Sequence, residues 1–165
     1  MQQKHIISAL VANRPGVLAR VAGLFSARGF NIESLAVGET ESHEYSRMTI
    51  VVGGDESILE QVRKQLEKLV DVVKVQDFSS VSHVERDLAL IRVKAPVGKR
   101  GEVLELVNIF RGRIVDVGHE EVMVEMAGTE EKIEAFLELV TPYGVTEMAR
   151  TGRIALSRSV NAGGA

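Results

Sequence analysis

The chain has no cysteine and no tryptophan. Without cysteine there is no disulfide framework, no thiolate zinc site and no cysteine nucleophile, and the redox compartment stays open. Aromatic residues make up only 4% of the 165 positions, so a core must come from Val, Leu and Ile. Such a core suits layers of sheet and helix better than an aromatic stacking platform. A net charge of -3 and an isoelectric point near 5.9 give the chain no overall attraction to nucleic acid or to an anionic membrane. No apolar run is long enough to span a bilayer, and MQQKHIIS reads as neither a secretory signal nor a transit peptide.

The chemistry-bearing residues are equally sparse. His5, His43, His83 and His119 form no pair at metal-ligand spacing and read as solvent-exposed loop positions. Glu120 and Glu121 are adjacent in a hairpin, where alternation sends them to opposite faces, so they are no acid and base pair. Ser79, Ser80 and Ser82 lack a nucleophile-elbow context, and VVGGDE lacks the Lys and Ser or Thr of a phosphate loop. Arg150, Arg153 and Arg158 fit either a solvated strand face or a patch for an acidic partner.

What is present is organised around Asn13 to Ile32, NRPGVLARVAGLFSARGFNI. The apolar run HIISALVA before it reads as a strand. Asn13 can cap a helix, Pro15 suits its first position, and Gly16 leaves the backbone amides uncovered. Val17, Val21, Leu24 and Phe25 then recur at helical spacing until Gly29, and Phe30 to Val37 reads as a strand. The amides of Gly16, Val17 and Leu18 fall at the positive end of the helix dipole, where a carboxylate fits. Water and Asn13 are the alternative partners. Asn13 and Asn31 carry carboxamides suited to an ammonium and a carboxylate together, or to plain turn chemistry.

Taken in order, strands and helices alternate twice. RMTIVV follows a polar turn, Asp55 caps a helix with Ile58, Val62, Leu66 and Leu69 on one stripe, and Val72 to Phe78 is a fourth strand. This is the βαββαβ order of a ferredoxin-like unit. The order repeats from Leu88. A shift of 83 carries Gly29 to Gly112 and Ile32 to Val115. Thr129 caps the last helix, and Val145 to Ser157 closes the second unit. The reading is an α+β chain of two tandem ferredoxin-like domains, residues 1–78 and 87–158, joined by a linker at 79–86 and followed by a disordered tail at 159–165. The same shift carries Asn31 to Ile114, and PVGKRG stands where the first half has NRPGVL, so a small-molecule site is expected only in the first half. RNA binding also uses this strand order, but ESLAVG and RMTIVV offer no exposed aromatics.

NRPGVLARVAGLFSARGFNIESLAVGETE, followed by SRMTIVV, resembles the ACT domain of the small regulatory subunits of acetohydroxyacid synthase, also called acetolactate synthase. ERDLALIRV, FRGRIVDV and TEMARTGRIALSR resemble the C-terminal domain of the same family. The resemblance implies a non-catalytic, cytoplasmic subunit that activates a separate large catalytic subunit and confers feedback inhibition by a branched-chain amino acid, commonly valine. It implies no cofactor in this chain, with thiamine diphosphate, Mg and FAD in the large subunit. The family holds its effector between two ACT domains of a homodimer. The implied effector residues are Asn13, Gly16, Val17 and Leu18 from one chain, facing Asn31 and Ile32 of the other. A free-standing ACT sensor acting on a different enzyme is the alternative.

Overall fold

In the computed structural model the described residues are 3–159. By their contacts they divide into two units, one running to Val84 and resuming at Arg153, the other spanning Glu85–Gly152.

The first unit runs β1 (Lys4–Ala12), α1 (Val17–Ala27), β2 (Ile32–Glu39), β3 (Tyr45–Gly53), α2 (Glu56–Glu67) and β4 (Val72–Asp77). Its antiparallel sheet has the order β2-β3-β1-β4, which leaves β2 and β4 at the edges. Strand alternation sends Ile7, Ala9 and Val11 of β1 and Met48, Ile50 and Val52 of β3 to one face. There they meet Val17, Val21 and Phe25 of α1 and Leu59, Val62 and Leu66 of α2 in one apolar core. Each of these side chains larger than Ala9, fully buried, contributes about 1.5–3 kcal/mol.

Both helices have clear local causes. The Asp55 carboxylate accepts from the Ile58 amide at 3.0 Å and starts α2. At the end of α1 the Gly29 amide donates to Ser26 and the Phe30 amide to Phe25, while the two phenyl rings meet edge to face at 6.0 Å. Gly29 has φ +67°, so this is the expected left-handed stop with its hydrophobic contact.

The second unit contains most of β5 (His83–Lys94), then α3 (Arg100–Ile109), β6 (Arg113–Val117), β7 (Glu121–Gly128), α4 (Glu130–Val140) and β8 (Val145–Arg150). Its strands follow the order β6-β7-β5-β8, the same as in the first unit once renumbered. Ala89, Ile91, Val93, Val122, Val124 and Met126 pack against Val103, Val107, Ile133, Phe136 and Val140. The Thr129 hydroxyl accepts from the Lys132 amide at 3.3 Å and caps α4 as expected.

Three features differ from the sequence reading. Strand β5 begins at His83, so part of the 79–86 stretch is strand. The closing segment is two strands, because Thr151-Gly152-Arg153 interrupts it and Gly152 takes φ +83°. The second of these, β9 (Ile154–Ser157), groups with the first unit, where Ala155 clusters with Ile6, Val51 and Phe78. Arg150 and Arg153 are not on a solvated face: Arg153 is 9% exposed, and Arg150 is ion-paired to the buried Asp87 at 2.7 Å. The expected disordered tail lies, from residue 160 on, outside the described residues.

Candidate functional site

The candidate site is centred on the start of α1. The helix begins two residues later than the position of Pro15 suggested, at Val17, and Gly16 is its N-cap with φ +86° and ψ -10°. Space is not the reason for glycine here, since a Cβ on Gly16 would meet only the Arg20 guanidinium at 3.7 Å. The left-handed backbone is the reason, and it costs other L residues about 1 kcal/mol.

Asn13 does not cap this helix. Its side-chain amide donates to the His43 carbonyl at 3.0 Å, and its backbone amide donates to Glu44 at 2.8 Å, which ties the turn to the β2–β3 hairpin. The helix therefore starts with no side-chain cap at all. The Val17 amide is not free as expected: it donates to the Arg14 carbonyl at 3.4 Å. Among the described residues the amides of Gly16 and Leu18 have no acceptor. These two donors lie at the positive end of an 11-residue helix, on an exposed turn, where the field favours negative charge.

The six expected effector residues separate into two groups. Asn13, Gly16 and Leu18 are exposed at one end of the sheet, and Val17 points into the core at 3% exposure, so Val17 supports the turn without offering its side chain. Beside the turn, Ala12, Asn13, Arg14, Glu44 and Tyr45 line an open cleft of about 360 Å³. Ile32 starts β2 at the opposite end, with Asn31 just before it: Ile32 pairs with Val52, whereas Ala12 pairs with Tyr45. Along β3 that separation is roughly 25 Å. Asn31 is exposed, its carbonyl accepting from the Gly53 amide at 3.3 Å, and Ile32 is half-buried against the core.

The exposed faces of the two helices differ sharply. On α2 they carry Glu56, Glu60, Lys64 and Glu67, laced by the ion pairs Glu60–Lys64 at 2.7 Å and Arg63–Glu67 at 3.4 Å. The Lys64 ammonium bonded to Glu60 holds that carboxyl below its ordinary range. On α1 the exposed positions are Leu18, Ala19, Arg20, Ala22, Gly23, Ser26 and Ala27, with Arg20 the only charge. Residues 19, 23 and 27 fall on one line of the helix and are Ala, Gly and Ala. A helix facing only water is normally covered by charged and polar side chains, and this one is not. Edge strand β2 adds the exposed Val37.

Two histidines, His5 and His83, depart from the loop reading, whereas His43 and His119 are exposed in turns as expected. His5 is 3% exposed within β1, and its ring meets the Gly54 carbonyl at 3.1 Å and the Ser79 hydroxyl at 3.3 Å. His83 is half-buried against Phe78, with ring centroids 5.1 Å apart. No group of three His, Cys, Asp or Glu among the described residues is placed to hold a metal, and no helix there is long and apolar enough to cross a membrane.

The βαββαβ order of the first unit is that of a ferredoxin-like fold, and residues 7–74 match the model of the AHAS small subunit-like ACT domain. Residues 86–159 match the model of the small subunit of acetolactate synthase. The chain belongs to the acetolactate synthase small subunit family. It is 58% identical over 155 residues to the probable acetolactate synthase small subunit of Archaeoglobus fulgidus, covering 94% of this chain and 97% of that one. It is 51% identical over 154 residues to the acetolactate synthase small subunit of Mycolicibacterium smegmatis, covering 93% and 92%. The crystal structure of the small subunit from Thermotoga maritima is similar with a TM-score of 0.87 at 45% identity, covering 96% of this chain and 99% of that one.

Proposed function

We propose that this chain is a non-catalytic regulatory subunit that raises the activity of an acetolactate synthase large subunit and makes it sensitive to a branched-chain amino acid, valine first. The effector sits between two copies of the first unit. Free amides of Gly16 and Leu18 receive its carboxylate, Asn13 and the partner chain's Asn31 bind its polar head group, and Ile32 meets its branched side chain. Val17 anchors the turn from within the core. Thiamine diphosphate, Mg and FAD belong to the large subunit, and the setting is the cytoplasm.

The observation that carries this reading is the placement of the turn and Asn31 at opposite ends of one sheet. One chain cannot close such a pocket, whereas two chains related by a two-fold axis supply both halves twice. The small, nearly uncharged face of α1 supports pairing there, because Ala and Gly let two helices approach closely. An effector held by both chains stabilises the pair and is itself bound more tightly by it, which links occupancy to assembly. Calorimetric titration with valine, leucine, isoleucine and alanine tests the reading: a branched side chain should bind at least tenfold more tightly than alanine, and equal binding of all four would contradict it. Capture of the large subunit from the native source separates this role from that of a sensor for a different enzyme.

A further inference from the structure

We propose that Arg20 is a further effector-binding residue, giving the carboxylate a charged partner beside the free amides, with Asp71 as its positioning residue. The proposal rests on the effector site described above. It starts from the only charge on α1. The Arg20 guanidinium is held by Asp71 at 3.1 Å between Nη1 and Oδ2, and the Asp71 side chain is 11% exposed while that of Arg20 is 60% exposed. The carboxylate is thus tucked away and the guanidinium reaches outwards. Its Nη2 stands 3.7 Å from the point where a Cβ of Gly16 would lie, next to the turn whose amides are free.

Two links make this position part of the turn. The Ala12 amide donates to the Asp71 carbonyl at 2.8 Å, and the Arg20 amide donates to the Gly16 carbonyl at 3.0 Å. Asp71 therefore holds both the strand end that leads into the turn and the cation that flanks it. Only Nη1 of the guanidinium is engaged: among the described residues Nε and Nη2 have no acceptor. A guanidinium offers five donors in a fixed fork that matches a carboxylate, and one face of this fork is left over. Two backbone amides alone do not distinguish an amino acid from its uncharged amide strongly, and an anchored cation does.

The test is a cycle between one protein group and one ligand group, read by calorimetry on the full chain. The probes are whichever of valine, leucine and isoleucine wild type binds most tightly, and the carboxamide of that amino acid. Arg20→Gln should weaken the amino acid about tenfold and barely change the carboxamide, so that the preference for carboxylate over amide shrinks by the same factor. Arg20→Lys should recover part of it. Asp71→Asn, which leaves the cation unanchored, should reduce the preference by less than Arg20→Gln does. Arg20→Gln should still melt cooperatively, though below wild type, because the Asp71 carboxylate, 11% exposed, loses its charged partner, and comparing two ligands on the one folded variant separates that cost from binding. If wild type binds the amino acid and Arg20→Gln keeps the full carboxylate preference, the role of Arg20 is overturned and the effector site stands. If wild type binds none of the three amino acids, the site and this proposal fall together.

Discussion

Asn13 and Asn31 stand at opposite ends of one antiparallel sheet, Asn13 just past the pair Ala12–Tyr45 and Asn31 just before the pair Ile32–Val52. Two carboxamides that serve one small ligand must then come from different chains. This predicts complementation. Asn13→Ala and Asn31→Ala chains should each bind the effector poorly alone, while their mixture should regain binding in about a quarter of all pockets, since half the dimers are mixed and one pocket in each mixed dimer is intact. Calorimetry on the two variants and on their equilibrated mixture checks it, and a mixture no better than its parts contradicts a shared pocket.

The left-handed backbone of Gly16 shapes a second prediction. Gly16→Ala should lower stability by about 1 kcal/mol, and Gly16→Asn by less, because short carboxamide side chains tolerate this conformation better. Gly16→Asp should melt near the Asn variant, with a few tenths of a kcal/mol in its favour from the helix dipole. Its carboxylate would occupy the free amides, so it should lose effector binding that the Asn variant largely keeps. Equal loss in Asn and Asp variants, both folded, would show that the backbone rather than charge is decisive.

The exposed face of α1 can be tested against the protein's own repeat. A shift of 83 carries Ala19 and Ala22 to Glu102 and Glu105, so the second unit already carries acids at these two helix positions, both exposed. The double change Ala19→Glu, Ala22→Glu should leave the fold intact and produce monomers, read by light scattering during size exclusion, with effector binding weakened alongside. A dimer that survives both charges would place the interface elsewhere.

A fourth prediction concerns the buried ion network of the second unit. Asp87 accepts from Arg150 at 2.7 Å and from the Thr151 hydroxyl at 3.2 Å, and Thr151 in turn accepts from the Leu88 amide at 3.1 Å. Arg150 also reaches Glu134 at 2.5 Å. Burial works against the Arg150 charge, yet its bonds to Glu134 and Asp87 leave its pKa above the ordinary value. Asp87→Ala removes the better-buried acid and leaves the Arg150 guanidinium, 22% exposed, with Glu134 as its remaining acid. It should destabilise by about 2 kcal/mol in urea unfolding. A change below about 1 kcal/mol would mean that the network contributes little.

Much of this architecture was legible because hydrophobic period and glycine spacing repeat at one offset, so that each half confirmed the other. Asn13 and Asn31 stood out for the same reason, as departures from the repeat. Backbone handedness was not legible: Gly16 is equally compatible with an ordinary first turn, and only the fold shows φ +86°. The burial of His5 depends on Gly54 and Ser79, 49 and 74 residues away, and no local pattern encodes such contacts. The return of β9 to the first unit was hidden because the apolar alternation of 145–157 reads through a Thr-Gly-Arg break that nothing else marks.

The most direct test of the proposed role is a steady-state assay of pyruvate turnover with the acetolactate synthase large subunit from the same source, with and without this chain and with and without valine. The expected outcome is no turnover by this chain alone, a several-fold rise when it joins the large subunit, and suppression of that rise by valine in wild type but not in Gly16→Asp. Large-subunit activity and valine response that are the same with and without this chain, or turnover by the chain alone once contaminating enzyme is excluded, would contradict it.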